Sequence, residues 1–244
     1  MRCRLIFTFL LIMTLPAFAQ TGFKDQQLKF ERVRTAYDQK WDNLKKELSA
    51  KNIKAPFRLF IAAYKAEGQL EIWLQSADQK KYLLFKTYHF CAHSGTLGPK
   101  VKEGDLQTPE GFYQLNAFNP KSNFYLSLGI NYPNQTDLRR SGAEKPGGDI
   151  YIHGNCVTIG CIPLTDEKIK EVYVMAVEAR NSGQQQIPVH IYPFKMTESN
   201  SVKYTGQYPN QKAFWQNLKQ GYAYFEAHRI LPVIRQVNGN YLIK

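Results

Sequence analysis

The sequence predicts an α+β protein whose central part is mostly β with one principal helix, flanked by helical extensions at both ends. Three observations lead there. Between residues 57 and 195, short apolar runs of strand length alternate with turn residues. Before and after that stretch, large apolar residues recur every three or four positions. A single longer helical pattern interrupts the strands near residue 165. With 43% hydrophobic and 21% charged residues over 244 positions, the chain can bury a substantial core and lacks the composition of a disordered protein.

The elements follow in order. Arg2 and Arg4 precede a nearly unbroken apolar run from Leu5 to Leu15, and Ala17-Phe18-Ala19 then places small residues where a signal peptidase reads them. Residues 1–19 are therefore expected to be a secretory leader cut before Gln20. The run is shorter than the ~20 residues that span a bilayer. No other stretch is long and apolar enough, so the mature chain is expected to be exported, without a transmembrane segment, to the periplasm or cell envelope. Cys3 lies in the charged leader, far from the cleavage point, so lipid attachment there is not expected.

Residues 20–56 form an N-terminal helical segment. Phe30, Val33, Tyr37, Trp41, Leu44 and Leu48 make one helical face, with charges of both signs opposite, which suits a helix capping the next domain better than one lying on a membrane. Ala55-Pro56 ends it. Residues 57–195 form the main domain. Arg58–Tyr64 and Gln69–Leu74 are strands joined at Glu67-Gly68, and Lys81–Phe90, Gly111–Leu115, Asp149–His153 and Ile187–Tyr192 are further strands. Thr165 is an N-cap, Asp166 and Glu167 suit the positive end of a helix, and Ile169, Val172, Ala176 and Ala179 form its stripe up to Asn181-Ser182-Gly183. Residues 196–244 carry a helix marked by Phe214, Trp215, Leu218, Tyr222 and Phe225, closed by Pro232, and a hairpin at Asn238-Gly239.

Chemistry concentrates between Asp149 and Asp166. Removing Cys3 leaves Cys91, Cys156 and Cys161, an odd count that implies one thiol without an intrachain partner. A strand delivers His153 to its end, and seven residues later Gly160-Cys161 precedes a helix. A loop that short lets an imidazole approach the Cys161 thiol and draw it toward thiolate, the nucleophilic form, and a nearby helix N-terminus would act in the same direction. Gly160 permits a sharp turn that aims backbone N–H groups at the oxygen of a tetrahedral intermediate.

His153-Gly154 followed by Gly160-Cys161 resembles the active-site signature of the L,D-transpeptidase catalytic domain (YkuD-type). Thr108-Pro109-Glu110-Gly111-Phe112-Tyr113 is similar to that family's Thr-Pro-x-Gly-x-Phe segment. Ser94-Gly95-Thr96-Leu97-Gly98-Pro99-Lys100, Glu103-Gly104-Asp105, Phe214-Trp215 and Gly221-Tyr222-x-Tyr224-Phe225-Glu226 point to its YafK-like branch. The resemblance runs from about Val33 to the end. It implies an L,D-transpeptidase-type fold and an exported enzyme that acts on peptidoglycan stem peptides in cell-wall biogenesis and cell shape. Cys161 is then the nucleophile, attacking the carbonyl of the third-position diamino acid, and His153 the base. The backbone N–H groups of Gly160 and Cys161 are the oxyanion donors, and Gly154 and Thr158 meet the substrate. A backbone carbonyl orients the histidine, so no acidic third member is assigned.

Two positions depart from the family pattern. Ile159 replaces a histidine, leaving His153 as the nearby base. Pro163 stands where an arginine usually follows the cysteine, which unsettles recognition of the substrate's carboxylate. Hydrolysis thus stands as an alternative to transfer: an amidase releasing a lipoprotein linked to peptidoglycan. A cell-wall-binding module without turnover is a further alternative. The thiol could equally be a small buried hydrophobe on residue type alone.

Cys156, with no preceding glycine, suits a structural role, a disulfide with Cys91 being one form of it. His89-x-Cys91-x-His93 puts three side chains on one strand face, a zinc half-site in pattern, but no C-x-x-C accompanies it and the ligands would compete with thiol chemistry, so no metal is expected. Gly98-Pro99-Lys100 and Gly147-Gly148 lack phosphate-loop spacing, and no cofactor is expected. Removing Arg2 and Arg4 lowers the formal net charge from +12 to +10. That excess favours anionic partners, and export disfavours nucleic acid among them.

Overall fold

A computed structural model describes residues 22–244; the expected leader lies outside the described residues. Helices α1 (Phe23–Gln27) and α2 (Glu31–Ala50) lead into strands β1 (Phe57–Tyr64), β2 (Gln69–Ser76), β3 (Leu83–His89), β4 (Gly111–Asn119) and β5 (Ser127–Ile130). Helix α3 (Gln135–Ser141), strands β6 (Tyr151–His153) and β7 (Ile162–Pro163), helix α4 (Asp166–Asn181) and strand β8 (Pro188–Tyr192) follow. The C-terminal part holds α5 (Glu198–Gln207), a 3-10 turn at Pro209–Gln211, α6 (Lys212–His228) and the hairpin β9 (Ile234–Val237) and β10 (Asn240–Ile243). The protein is a mixed α+β fold, as the sequence predicts.

Eight strands form one sheet in the order β3-β2-β1-β8-β4-β5-β6-β7. The β1–β2 hairpin pairs over its full length, Phe57 with Ser76 through Tyr64 with Gln69, and turns at Gly68, whose φ of +58° favours glycine. Strand β1 reads as a continuous apolar run because both of its faces are covered. Leu59, Ile61 and Ala63 enter a core with α2 and α4, while Phe60, Ala62 and Tyr64 enter a second core with α6.

Helix α4 is buried on nearly all sides because α2 packs over it, away from the sheet. Tyr37 donates to Glu178 (2.8 Å) and Tyr173 to Gln27 (2.7 Å), tying the N-terminal segment to this helix as a cap. On the other face α6 approaches so closely that a Cβ at Gly221 would lie 2.6 Å from the Phe112 ring. Helix α6 ends at His228, where Arg229 turns to a φ of +56°, three residues before the expected stop at Pro232.

Strand β5 and helix α3 are absent from the sequence reading. The seven residues of α3 carry no apolar period; a capping box holds them, with the Asn134 side chain accepting from Thr136 and Asp137 N–H and Asp137 accepting from Asn134 N–H.

Candidate active site

Strands β6 and β7 pair in parallel at one edge of the sheet, with Ile152 opposite Ile162 and His153 opposite Pro163. Cys161 immediately precedes β7, whose parallel partner β6 ends in His153. Only residues 154–161 separate the two strands. Positive φ at Asn155 (+63°) and Gly160 (+142°) makes so short a return possible.

His153 is buried, 1% exposed, beneath the Phe124 ring at 4.6 Å. Its Nδ1 lies 2.5 Å from the Gly154 carbonyl oxygen. A carbonyl only accepts, so Nδ1 carries the proton and the lone pair of the neutral ring sits on Nε2. Burial pushes this imidazole below its usual range, against the opposing pull of the Gly154 carbonyl, and keeps it neutral.

Cys161 is a free, half-buried cysteine whose thiol donates to the Asp149 carbonyl at 3.5 Å. Burial pushes the thiol up, and the Asp149 charge adds to that. A hydrogen bond with the Tyr151 backbone and the Lys100 charge act the other way without winning. This corrects the expectation of a thiol lowered by a helix N-terminus: α4 begins only at Asp166, and desolvation dominates. The thiol and the ring are not hydrogen-bonded to each other. At rest the thiol and the imidazole are both neutral.

The turn before Cys161 is braced from both sides. Thr158 Oγ1 accepts from Gly160 N–H (3.1 Å) and donates to the Cys161 carbonyl (2.9 Å). A Cβ at Gly160 would meet the Gln107 carbonyl at 2.8 Å. Gly154 is equally confined, with Asp166 Oδ1 and the Phe124 carbonyl within 3 Å of where its Cβ would be. Gly154 and Thr158 thus shape the loop from within, and in this conformation the Gly160 N–H is engaged by Thr158.

The segment that presses on Gly160 is itself held by buried charge. Lys100 donates to Asp105 (2.7 Å), which also accepts from the Val101, Lys102 and Gln107 N–H groups. Burial pushes the Asp105 carboxyl up, but these hydrogen bonds outweigh it and the net shift is down. Next to it, Lys65 donates to the carbonyls of Gly98 (2.7 Å) and Thr108 (2.8 Å) and to Glu110 (3.0 Å). Glu110 is fully buried and also accepts from Gly98 N–H (2.7 Å) and Trp215 Nε1–H (2.8 Å). The Thr-Pro-x-Gly segment is thereby bolted to α6, which gives Phe214-Trp215 a structural reason.

Cys161 opens on a groove of about 300 Å³ walled by Phe90, His93, Ser94, Thr108 and Tyr208 among others. Cys91 and Cys156 form a disulfide (Cα–Cα 5.2 Å), joining the His93 wall to the loop after His153. That bond takes Cys91 out of the zinc half-site pattern. Among the described residues no cluster of three His, Cys, Asp or Glu is placed to hold a metal ion. Lys65 and Phe124 are missed by sequence reasoning, and His93 and Ser94 are singled out there only as part of a metal pattern and of a family-like segment, since only the fold brings these residues to the site.

A mixed α+β fold built on one curled sheet suits the L,D-transpeptidase catalytic domain (YkuD). That family's model matches residues 71–191, and the chain belongs to the family. Over 187 residues it is 40% identical to "Putative L,D-transpeptidase YafK" of Escherichia coli (strain K12), covering 76% of this chain and 73% of the relative. The protein of the same name from Escherichia coli O157:H7 matches equally. Among solved structures, the helical cell shape determining protein Pgp2 of Campylobacter jejuni aligns at 20% identity with a TM-score of 0.46, over 75% of this chain and 67% of that one. Bd1075 of Bdellovibrio bacteriovorus aligns at 20% identity and 0.43, over 77% and 79%. No described helix is long and apolar enough to cross a membrane.

Proposed function

We propose that this chain is an exported cysteine acyl-transferase of the cell envelope that acts on peptidoglycan stem peptides through a Cys161 acyl-enzyme. The observation that carries this reading is the free Cys161 thiol in a groove, at the turn that leads into the strand paired with that of His153, whose Nδ1 is committed to the Gly154 carbonyl. The leader-like residues 1–19 and the name of the curated relative support the location and the substrate class.

The chemistry follows from the neutral pair. As the stem peptide's carbonyl meets Sγ, the S–H proton passes to the free Nε2 of His153 and a C–S bond forms. The Gly160 and Cys161 N–H groups receive the oxyanion, with Gly160 released from Thr158, while Gly154 and Thr158 hold the loop against the substrate. The C–N bond then breaks, and the leaving amine takes the proton from His153. An acceptor amine gives its proton to Nε2 and attacks the thioester, and the returning thiolate is reprotonated. Water in the acceptor's place gives hydrolysis, and a lysine-linked protein as leaving group gives release of a lipoprotein.

Digestion of purified cell wall by the mature protein tests the reading. Transfer predicts new cross-links, and hydrolysis predicts shortened stems or freed protein. Unchanged cell wall, with and without an added acceptor amine, contradicts both and favours a binding module.

A further inference from the structure

The groove around Cys161 contains polar groups with nothing to bind. Ser94 Oγ is out of contact with solvent and has no hydrogen-bond partner, a state that calls for an explanation in a native wall. His93, beside it, is exposed, and its ring forms no hydrogen bond among the described residues. The ring is nonetheless seated. It packs at 5.8 Å from Phe90, and its Cε1–Nε2 edge rests on Gly68, where a Cβ would come within 2.5 Å. Nδ1 lies farther from Gly68, 3.8 Å from that Cβ position. Two residues away, the Cys91–Cys156 disulfide fixes this wall against the loop that carries the nucleophile.

Cationic groups elsewhere in the groove wall are occupied. Lys65 spends its three donors on Gly98, Thr108 and Glu110. Pro163, two residues past the cysteine, offers no charge. A substrate bearing a carboxylate near its scissile carbonyl therefore finds His93 and the Ser94 hydroxyl, adjacent on one wall, among the polar groove side chains that form no hydrogen bond within the described residues, with Thr108 and Tyr208 the others.

We infer that His93 and Ser94 form the subsite that recognises the free carboxylate of the stem peptide's diamino acid. The inference rests on the Cys161 reading for the orientation of the peptide in the groove. A serine hydroxyl reaches the groove by rotation about one bond, and an imidazole N–H donor suits a carboxylate. Both are specificity residues; neither takes part in proton transfer at Sγ.

The test uses two synthetic tetrapeptide stems that differ only in whether that carboxylate is free or converted to the amide. Binding is measured on the Cys161→Ala protein, alone and combined with His93→Ala, His93→Lys or Ser94→Ala, and turnover on the corresponding proteins with Cys161 intact. The parent binds the carboxylate form roughly ten-fold or more tightly than the amide, the range of a hydrogen bond to a charged group. His93→Ala brings the ratio close to one, Ser94→Ala lowers it by a smaller factor, and His93→Lys retains it. In turnover the loss falls on KM, with kcat for the amide peptide unchanged. Equal binding of the two peptides by the parent, or an undiminished ratio in His93→Ala, overturns the inference. A binding preference without any turnover leaves the subsite standing and removes the Cys161 reading instead.

Discussion

Replacing Glu110 by alanine is expected to destabilise the protein more than any comparable surface change, and the cost can be worked from its contacts. The carboxylate receives Lys65 Nζ (3.0 Å), Gly98 N–H (2.7 Å) and Trp215 Nε1–H (2.8 Å) with no exposed surface. Removing one partner of a buried ion pair costs about 3–5 kcal/mol, and each orphaned N–H about 1–3 kcal/mol. Lys65 limits the first figure by giving up its proton, since burial already pulls its ammonium below the usual range against Glu110's opposing effect. The net expectation is on the order of 4–6 kcal/mol, against about 5–15 kcal/mol for a whole domain. In urea, with a slope of about 3 kcal/mol/M, the midpoint falls by roughly 1.3–2 M. Glu110→Gln is milder, near 2 kcal/mol, because its NH₂ confronts one of the three donors. Lys65→Met combined with Glu110→Gln costs less than the sum of the single changes, as coupled neighbours should. A Glu110→Ala midpoint shift below about 0.3 M, or strict additivity in the double variant, would refute the claim that this pair holds the groove wall to α6.

Three further outcomes follow from the site and core. Alkylation of Cys161 by iodoacetamide should rise with pH to a half-point above the ordinary thiol value, because burial holds the resting thiol protonated; a half-point near pH 6 would mean a pre-formed ion pair. Gly160→Ala should cut acyl transfer at least ten-fold, because its Cβ meets the Gln107 carbonyl at 2.8 Å and φ is +142°. Strain of that kind costs about 1–3 kcal/mol, and wild-type rates would argue that the turn is not a constraint. His190, wedged between Phe60 and Phe112, is pushed down to about 3 by burial. Between that value and the unfolded ~6.5 the unfolded state binds the extra proton, so stability falls with acid by up to about 1.4 kcal/mol per pH unit. His190→Phe should flatten that part of the profile, and an unchanged slope would assign it elsewhere.

Much of the fold is legible in local pattern. The β1–β2 hairpin, the stripe of α4 and the two-residue turn at Asn238-Gly239 follow from periodicity and turn chemistry, and each lies within a residue or two of its expected place. Elements held by side-chain capping or by neighbours are not legible. Helix α3 depends on Asn134 and Asp137, and β5 is four residues whose burial comes from β4 and β6. For the candidate site, spacing suggests His153 and Cys161, because one short loop connects them, and the family resemblance is what favours them over a buried cysteine. The groove's other wall and the Lys65–Glu110–Trp215 pin join residues 45 and 105 positions apart, which no local pattern reports. The direction of the thiol shift was hidden for the same reason: burial, set by distant segments, outweighs the helix end that the sequence displays.

The central claim is that the sulfur of Cys161 accepts an acyl group with help from His153. Intact-mass analysis of the mature protein after exposure to a carbapenem addresses it directly. The account predicts a single adduct mapped to Cys161, absent from Cys161→Ala and formed far more slowly by His153→Gln. No adduct on the wild-type protein, or one that persists undiminished in Cys161→Ala, would contradict it.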